Sequence, residues 1–122
     1  MGALLLAGAE LVATNPDALL PTPQGALPET GPLVRYLEYA SGKTAAVVGK
    51  PNPYIVRLAP GRRGLTAGQV VMVGDTWATD IEAAKAANLW SVLLKTGNGV
   101  HPLSSGPPTF HLDGLLELTA LL

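Results

Sequence analysis

The chain has 122 residues, 48% hydrophobic and 14% charged, which is the size of one domain and too apolar for a disordered segment. Eight Lys and Arg against nine Asp and Glu leave a net charge of −1, so there is no electrostatic footprint for nucleic acid or an anionic membrane. The absence of cysteine excludes disulfides, thiolate zinc sites and a cysteine nucleophile, and fits a reducing compartment.

Residues 3–9 read as the last two turns of a helix closed by Gly8, so the chain is expected to begin inside an element. That apolar run is about a third of the roughly 20 residues a membrane span needs, and no Lys/Arg-bearing leader of a signal peptide precedes it. A cytoplasmic protein without a membrane segment is the expectation. Residues 10–14 (ELVAT) read as a short strand, stopped at Asn15-Pro16-Asp17 because Pro16 removes a donor and biases Asn15 away from helix. Between Pro16 and Pro32 stand five prolines and two glycines in seventeen residues, which predicts a turn-rich connection without a regular element. Thr30 then caps a helix of about ten residues, with Leu33, Val34, Leu37 and Ala40 at helical spacing up to Ser41-Gly42.

Residues 44–48 (TAAVV) predict a buried strand that delivers Gly49-Lys50-Pro51 at its carboxyl end. Pro53 opens a helix with Ile55, Val56 and Leu58-Ala59 as its apolar stripe, running to Pro60-Gly61. Arg62, Arg63 and Gly64 form a basic turn, which lies at a helix end and reads as solvated rather than phosphate-binding. Thr66 caps at most one turn. Residues 70–73 (VVMV) are the strongest strand signal, read as a central strand ended by Gly74-Asp75. A helix starts at Thr79 or Asp80, runs over residues 81–87 and stops at Asn88 in the left-handed conformation. Residues 91–94 (SVLL) are a further buried strand, residues 97–108 a surface loop, and residues 112–122 a terminal helix. Alternating apolar strands and helices predict an α/β layer of parallel strands joined by right-handed crossovers.

In such sheets the reactive edge lies beyond the carboxyl ends of the strands, which selects Lys50, residues 75–80 and Thr96-Gly97. Asp75 is presented directly after a strand, and Asp80 lies five residues on. Together with Thr76 and Thr79, the two carboxylates suit an oxygen-ligated Mg²⁺ that keeps waters and a substrate phosphate. Asp80 equally reads as an acid at a helix N-terminus stabilising the macrodipole. Lys50, ordinarily a solvated surface charge, sits where its ammonium would hold a phosphate. Trp77, inside the acidic loop, reads as packing. His101 and His111 lack carboxylates at metal-ligand spacing and read as surface or packing residues. No G-x-G-x-x-G follows a predicted strand and no P-loop pattern occurs, which argues against a nucleotide-binding unit.

The G-K-P-N-P run at 49–53, followed by V-V-M-V-G-D-T-W-A-T-D-I at 70–81, resembles the third and fourth motifs of the haloacid dehalogenase (HAD) superfamily of phosphatases. With A-T-N-P-D at 13–17 and G-A-L-P-E-T-G at 25–31, four segments resemble, in order, the NagD-like branch that includes p-nitrophenylphosphatases and phosphoglycolate phosphatases. The resemblance implies that Asp75 is a Mg²⁺ ligand and that Asp80 supports the metal shell or pairs with Lys50. It also implies that Lys50 orients the nucleophile and stabilises the transferring phosphoryl charge. Asn15 and Asp17 fall where the family's chain returns from its cap domain, facing the substrate; an Asx-turn beside Pro16 is the alternative for both. Residues 1–17 are then the end of a cap and the cap–core junction, and residues 18–122 the C-terminal part of a HAD-like Rossmannoid core.

The family's reaction starts with an aspartate nucleophile in a D-x-D motif, and the only aspartates here, Asp17, Asp75, Asp80 and Asp113, form no such pair. The family's second motif, a Ser or Thr that binds the phosphoryl group, is also not identifiable. The expectation is a C-terminal portion of a Mg²⁺-dependent phosphatase of small phosphate monoesters, inactive as an isolated chain because no nucleophile is positioned. Without the strands that carry those motifs, apolar faces are left uncovered, which predicts a homo-oligomer or a companion N-terminal half. The alternative is a non-catalytic α/β phosphate-binding or interaction module derived from that fold. The substrate itself is chosen by a cap and is not written in this sequence.

Overall fold

In the computed structural model, which describes residues 2–96 and 106–120, short parallel strands alternate with helices much as the apolar periodicity requires. The chain divides into two compact units, residues 1–49 and 50–122.

In the first unit, helix α1 (Gly2–Leu6) ends before Gly8, whose φ of 108° suits only glycine. Strand β1 (Val12–Ala13) pairs in parallel with β4 (Ala46–Val47), Val12 opposite Ala46. Ala46 is exposed and Val47 half-buried, so β4 is not the fully buried strand that its composition suggested. Between them runs helix α2 (Thr30–Ser41), which buries Gly31, Val34 and Leu37, one residue per turn at i, i+3, i+6. Leu33 and Ala40, assigned to the same stripe from the sequence, face solvent. Gly42 closes the helix in the left-handed conformation, φ 69°, and donates its N–H to the Glu38 carbonyl at 2.8 Å. The Glu38 carboxylate reaches past that end to accept the Ala45 N–H at 2.8 Å and an Arg35 N–H at 2.8 Å.

The connection from Pro16 to Pro32, expected to be irregular, contains an antiparallel hairpin of β2 (Leu19–Thr22) and β3 (Gly25–Pro28), with Leu20 opposite Leu27. The prolines do not prevent pairing there. A two-stranded ribbon gives every strand a free edge, where a missing N–H breaks no ladder bond. Gly25, at φ 123°, and the Thr22 hydroxyl donating to the Gly25 carbonyl at 2.6 Å close the turn.

In the second unit, three parallel strands stand in the order β5 (Val71–Gly74), β6 (Trp90–Leu94), β7 (Phe110–Leu112). Among the described strands of this unit β6 is central, with Ser91, Val92 and Leu93 buried, whereas β5, read as central from its apolar run, stands outermost with Val71 exposed. Strand β7 was not foreseen, because three residues are too short to show a period, and the final helix α5 (Leu115–Thr119) begins after it. Part of the loop placed at residues 97–108, together with His101 and the end of the terminal helix, lies outside the described residues.

Helix α3 (Tyr54–Arg62) runs through Pro60, which is buried, instead of ending there; Ile55 and Leu58 are exposed, and Val56 is the stripe residue packed on the core. A single 3₁₀ turn (Ala67–Gln69) follows, capped by Thr66 as expected. After β5 comes a π-helical turn (Trp77–Ile81) that continues into α4 (Glu82–Ala86), so helical structure starts at Trp77, ahead of the predicted Thr79 or Asp80. Ala84, Ala87 and Leu89 pack with Val56, Val70 and Met72, and small alanines let α4 approach the sheet closely. Asn88 ends the helix at φ 57°. Among the described residues no helix is long and apolar enough to cross a membrane.

Candidate active site

The second unit gathers Lys50, Asp75 and Asp80 around the carboxyl end of β5. Gly74 is the reason they fit. A Cβ at that position would overlap the Asp80 side chain, so glycine lets the aspartate of the next helical turn lie directly against the strand end. Asp80 is 4% exposed, and both of its carboxylate oxygens accept hydrogen bonds. One oxygen, Oδ2, accepts the backbone N–H groups of Asp75 and Thr76, each at 3.1 Å. The other, Oδ1, accepts from Lys50 Nζ in a salt bridge. Burial of the anion is balanced by three donors, one of them charged, as a desolvated carboxylate requires.

Lys50 stands at the head of this unit, four residues ahead of α3, and its side chain is 42% exposed, so the ammonium is shared between Asp80 and solvent. The Lys50–Pro51 peptide is cis. Asn52 Oδ1 accepts the Tyr54 N–H at 2.9 Å and so organises the entry to α3.

Asp75 differs from Asp80 in every respect that matters for a ligand. It is exposed, and the side-chain hydrogen bond described for it is the Thr76 hydroxyl donated to Oδ1 at 3.2 Å. A carboxylate beside a hydroxyl at a strand end fits a hard cation such as Mg²⁺, which takes one or two carboxylates and fills its octahedron with water and phosphate oxygens. Of the roles left open for Asp80, the structure shows the pairing with Lys50. Its oxygens carry that pair and the two amides, and no group of three His, Asp or Glu residues suited to a metal occurs among the described residues. The two amide donors are the part of the site that the sequence reading missed, because the order of residues gives no sign of a backbone hydrogen bond.

Asn15 and Asp17 belong to the first unit. Asn15 Oδ1 accepts the Asp17 N–H at 3.0 Å in an Asx-turn, and Asn15 Nδ2 donates to Glu29 at 3.5 Å. The turn presses against α2: the Gly31 N–H donates to the Asp17 carbonyl at 2.7 Å, and a Cβ on Gly31 would overlap the Pro16 carbonyl. Gly49 is similarly held against the Thr14 carbonyl. Trp77 is packing, as expected: it is 8% exposed, clusters with Ile81 and Leu93, and lies 6.0 Å from the His111 ring at 48°. On α3, the guanidinium of Arg57 donates to the Ala86 carbonyl.

A family model described as HAD-hydrolase-like matches residues 47–118, which include Lys50, Asp75 and Asp80. The chain belongs to this haloacid dehalogenase-like hydrolase family. It is 38% identical over 94 residues to a dihydroxyacetone phosphatase of Corynebacterium glutamicum, covering 77% of this chain and 34% of that protein. It is 45% identical over 91 residues to a D-glycerol 3-phosphate phosphatase of Mycobacterium tuberculosis, covering 75% and 25%. Among solved structures, a 4-nitrophenylphosphatase from Thermotoga maritima superposes with a TM-score of 0.86 at 31% identity, over 98% of this chain and 47% of that one. The chain thus spans a quarter to about half the length of these relatives.

Proposed function

We propose that this chain carries the lysine and metal half of a Mg²⁺-dependent active site that hydrolyses small phosphate monoesters. The observation that carries the reading is the division of labour between the two aspartates: Asp80 is buried with both oxygens bonded, to Lys50 and to two amides, while Asp75 is exposed at the strand end. Relatives named for dihydroxyacetone phosphate and glycerol phosphate support the substrate class, and a glycerol phosphate phosphatase of Mycobacterium tuberculosis, 37% identical, has been solved in complex with magnesium.

In this reading Asp75 holds the cation. When bound, Mg²⁺ supplies Lewis-acid stabilisation of phosphoryl oxygens. Lys50, fixed at one end by Asp80, turns its solvent-facing side to the phosphoryl group and offsets the charge that builds up during transfer. Asn15 and Asp17 form an Asx-turn in the first unit, and their role toward substrate rests on the family resemblance, in which residues 1–17 close a cap and residues 18–122 form the C-terminal part of the core. In-line displacement also needs an attacking carboxylate, and no D-x-D pair is present, so a second polypeptide segment must supply it.

A second reading, a non-catalytic phosphate-binding module, is favoured by the lack of a three-residue metal cluster among the described residues. Calorimetry with Mg²⁺ separates the two, together with hydrolysis of p-nitrophenyl phosphate by the chain and by Asp75→Asn. Mg²⁺ binding that Asp75→Asn abolishes, with no turnover by either chain, is expected. Equal binding by both would overturn the metal assignment, and turnover by the chain alone would overturn the missing nucleophile. Light scattering is expected to give more than a monomer mass, and a lone monomer would count against the oligomer.

A further inference from the structure

Lys85 and Trp77 stand eight residues apart, a spacing that in an uninterrupted α-helix points the two side chains about 80° away from each other. The π-helical turn Trp77–Ile81 removes that offset. Its wider turn takes up one additional residue, so the effective separation is about seven residues, or roughly 700°, and Lys85 returns to within about 20° of the Trp77 face. Long helical side chains lean toward the helix N-terminus, and Lys85 Nζ reaches back to lie 5.2 Å from the Trp77 ring centroid. This ammonium is buried and has no hydrogen-bond partner among the described residues. The contact described for this ammonium is the face of the indole, an attraction that offsets part of its desolvation.

Trp77 is also the residue that follows the two amides holding Asp80. If the indole shifts, the backbone presenting Asp75 N–H and Thr76 N–H shifts with it, and Asp80 loses the acceptor geometry on which Lys50 depends. We infer that Lys85 and Trp77 are positioning residues of the site: the contact between ammonium and indole locks residues 75–80 so that Asp80 stays seated against Gly74 and Asp75 is held ready for a divalent cation. The effect is one of charge as well as packing. A methionine at 85 fills similar volume without the cation, whereas arginine keeps it. The metal-binding consequence rests on the proposed role of Asp75; the locking of the loop does not.

The test is amide hydrogen exchange, followed by NMR in the wild-type chain, Lys85→Met, Lys85→Arg and Trp77→Phe, with the Val92 amide of β6 as the internal reference. Lys85→Met is expected to speed exchange at Asp75 and Thr76 about tenfold while Val92 is unchanged, and Lys85→Arg to stay within about twofold of wild type. Trp77→Phe, which keeps a weaker ring face, is expected to fall between them and gives the answer if Lys85→Met does not fold. Unchanged exchange at Asp75 and Thr76 in either Lys85→Met or Trp77→Phe, an equal acceleration at Val92, or an arginine variant that behaves like methionine overturns the inference. In parallel, Mg²⁺ titration by calorimetry should show affinity about three- to tenfold weaker in Lys85→Met and not in Lys85→Arg. Mg²⁺ binding that Asp75→Asn leaves intact would refute the metal reading alone, with the exchange data still deciding the clamp.

Discussion

The second unit contains two lysine–aspartate bridges that are alike on paper and different in the structure. Lys50–Asp80 has an aspartate side chain 6% exposed, with two backbone amides on the oxygen that the lysine does not use. Lys95–Asp113 joins the ends of β6 and β7 with side chains 62% and 67% exposed. Water screens the second pair and can replace either partner, whereas the first anion has only its protein donors. The buried bridge is therefore part of how the site is built, and the exposed one is a solvated latch between neighbouring strands.

The largest effect should come from Asp80→Ala, which leaves two amides and an ammonium without their acceptor. A loss of about 3 kcal/mol is expected, read from urea denaturation midpoints. A loss below about 1 kcal/mol would put the buried bridge on the level of a surface pair. Lys50→Met should cost less, about 1–2 kcal/mol, because Asp80 keeps both amide donors. If the two variants were equally destabilised, the amides would contribute nothing to holding the anion.

The residues of this buried bridge were legible in the sequence, but its wiring was not. Gly74-Asp75 after an apolar run and Gly49-Lys50 after another placed Asp75 and Lys50 after strands, with Asp80 five residues on, because strand period and glycine punctuation are local signals. The assignment of Asp80's oxygens depended on a π-helical turn, and no spacing rule announces one. The hairpin at residues 19–28 was hidden by its prolines, and β7 by its three-residue length. Leu33, Ile55 and Leu58 fit a helical stripe yet face solvent, since periodicity cannot say which part of an apolar face is covered.

Glu38 is an intermediate case, its side chain 15% exposed. The Ala45 N–H, and after it the Arg35 guanidinium, hold its carboxyl below the ordinary 4.5. The unfolded chain therefore takes up the proton first on acidification. The stabilisation from Glu38 is complete above about pH 4.5 and is lost as pH falls through the lower folded value. Urea titrations at neutral and acid pH should show this loss in the wild type and not in Glu38→Gln, which has no proton to take up. An identical acid dependence in both would mean that the carboxylate adds nothing beyond what an amide can.

Lys95–Asp113 should give the smallest response and the most salt-sensitive one. The lysine beside it lowers the Asp113 carboxyl from its usual 3.8, and Asp113 in turn raises Lys95 above 10.5. The sign for the acid is that stability is present above 3.8 and lost as pH falls through the depressed folded value; for the base it is present below 10.5 and lost as pH rises through the elevated one. Between those limits the bridge is whole, so Asp113→Asn compared with wild type at neutral pH isolates it. At low ionic strength a small shift in the denaturation midpoint is expected, and about 1 M NaCl should erase it, because the screening length there is only about 3 Å. The same salt should leave most of the Asp80→Ala deficit in place, since counterions do not reach a buried carboxylate whose one oxygen is held by two amides and the other by a lysine. Salt sensitivity of equal size in both bridges would remove the distinction between them, and with it the argument that burial, rather than the lysine–aspartate pairing itself, makes one of them part of the site.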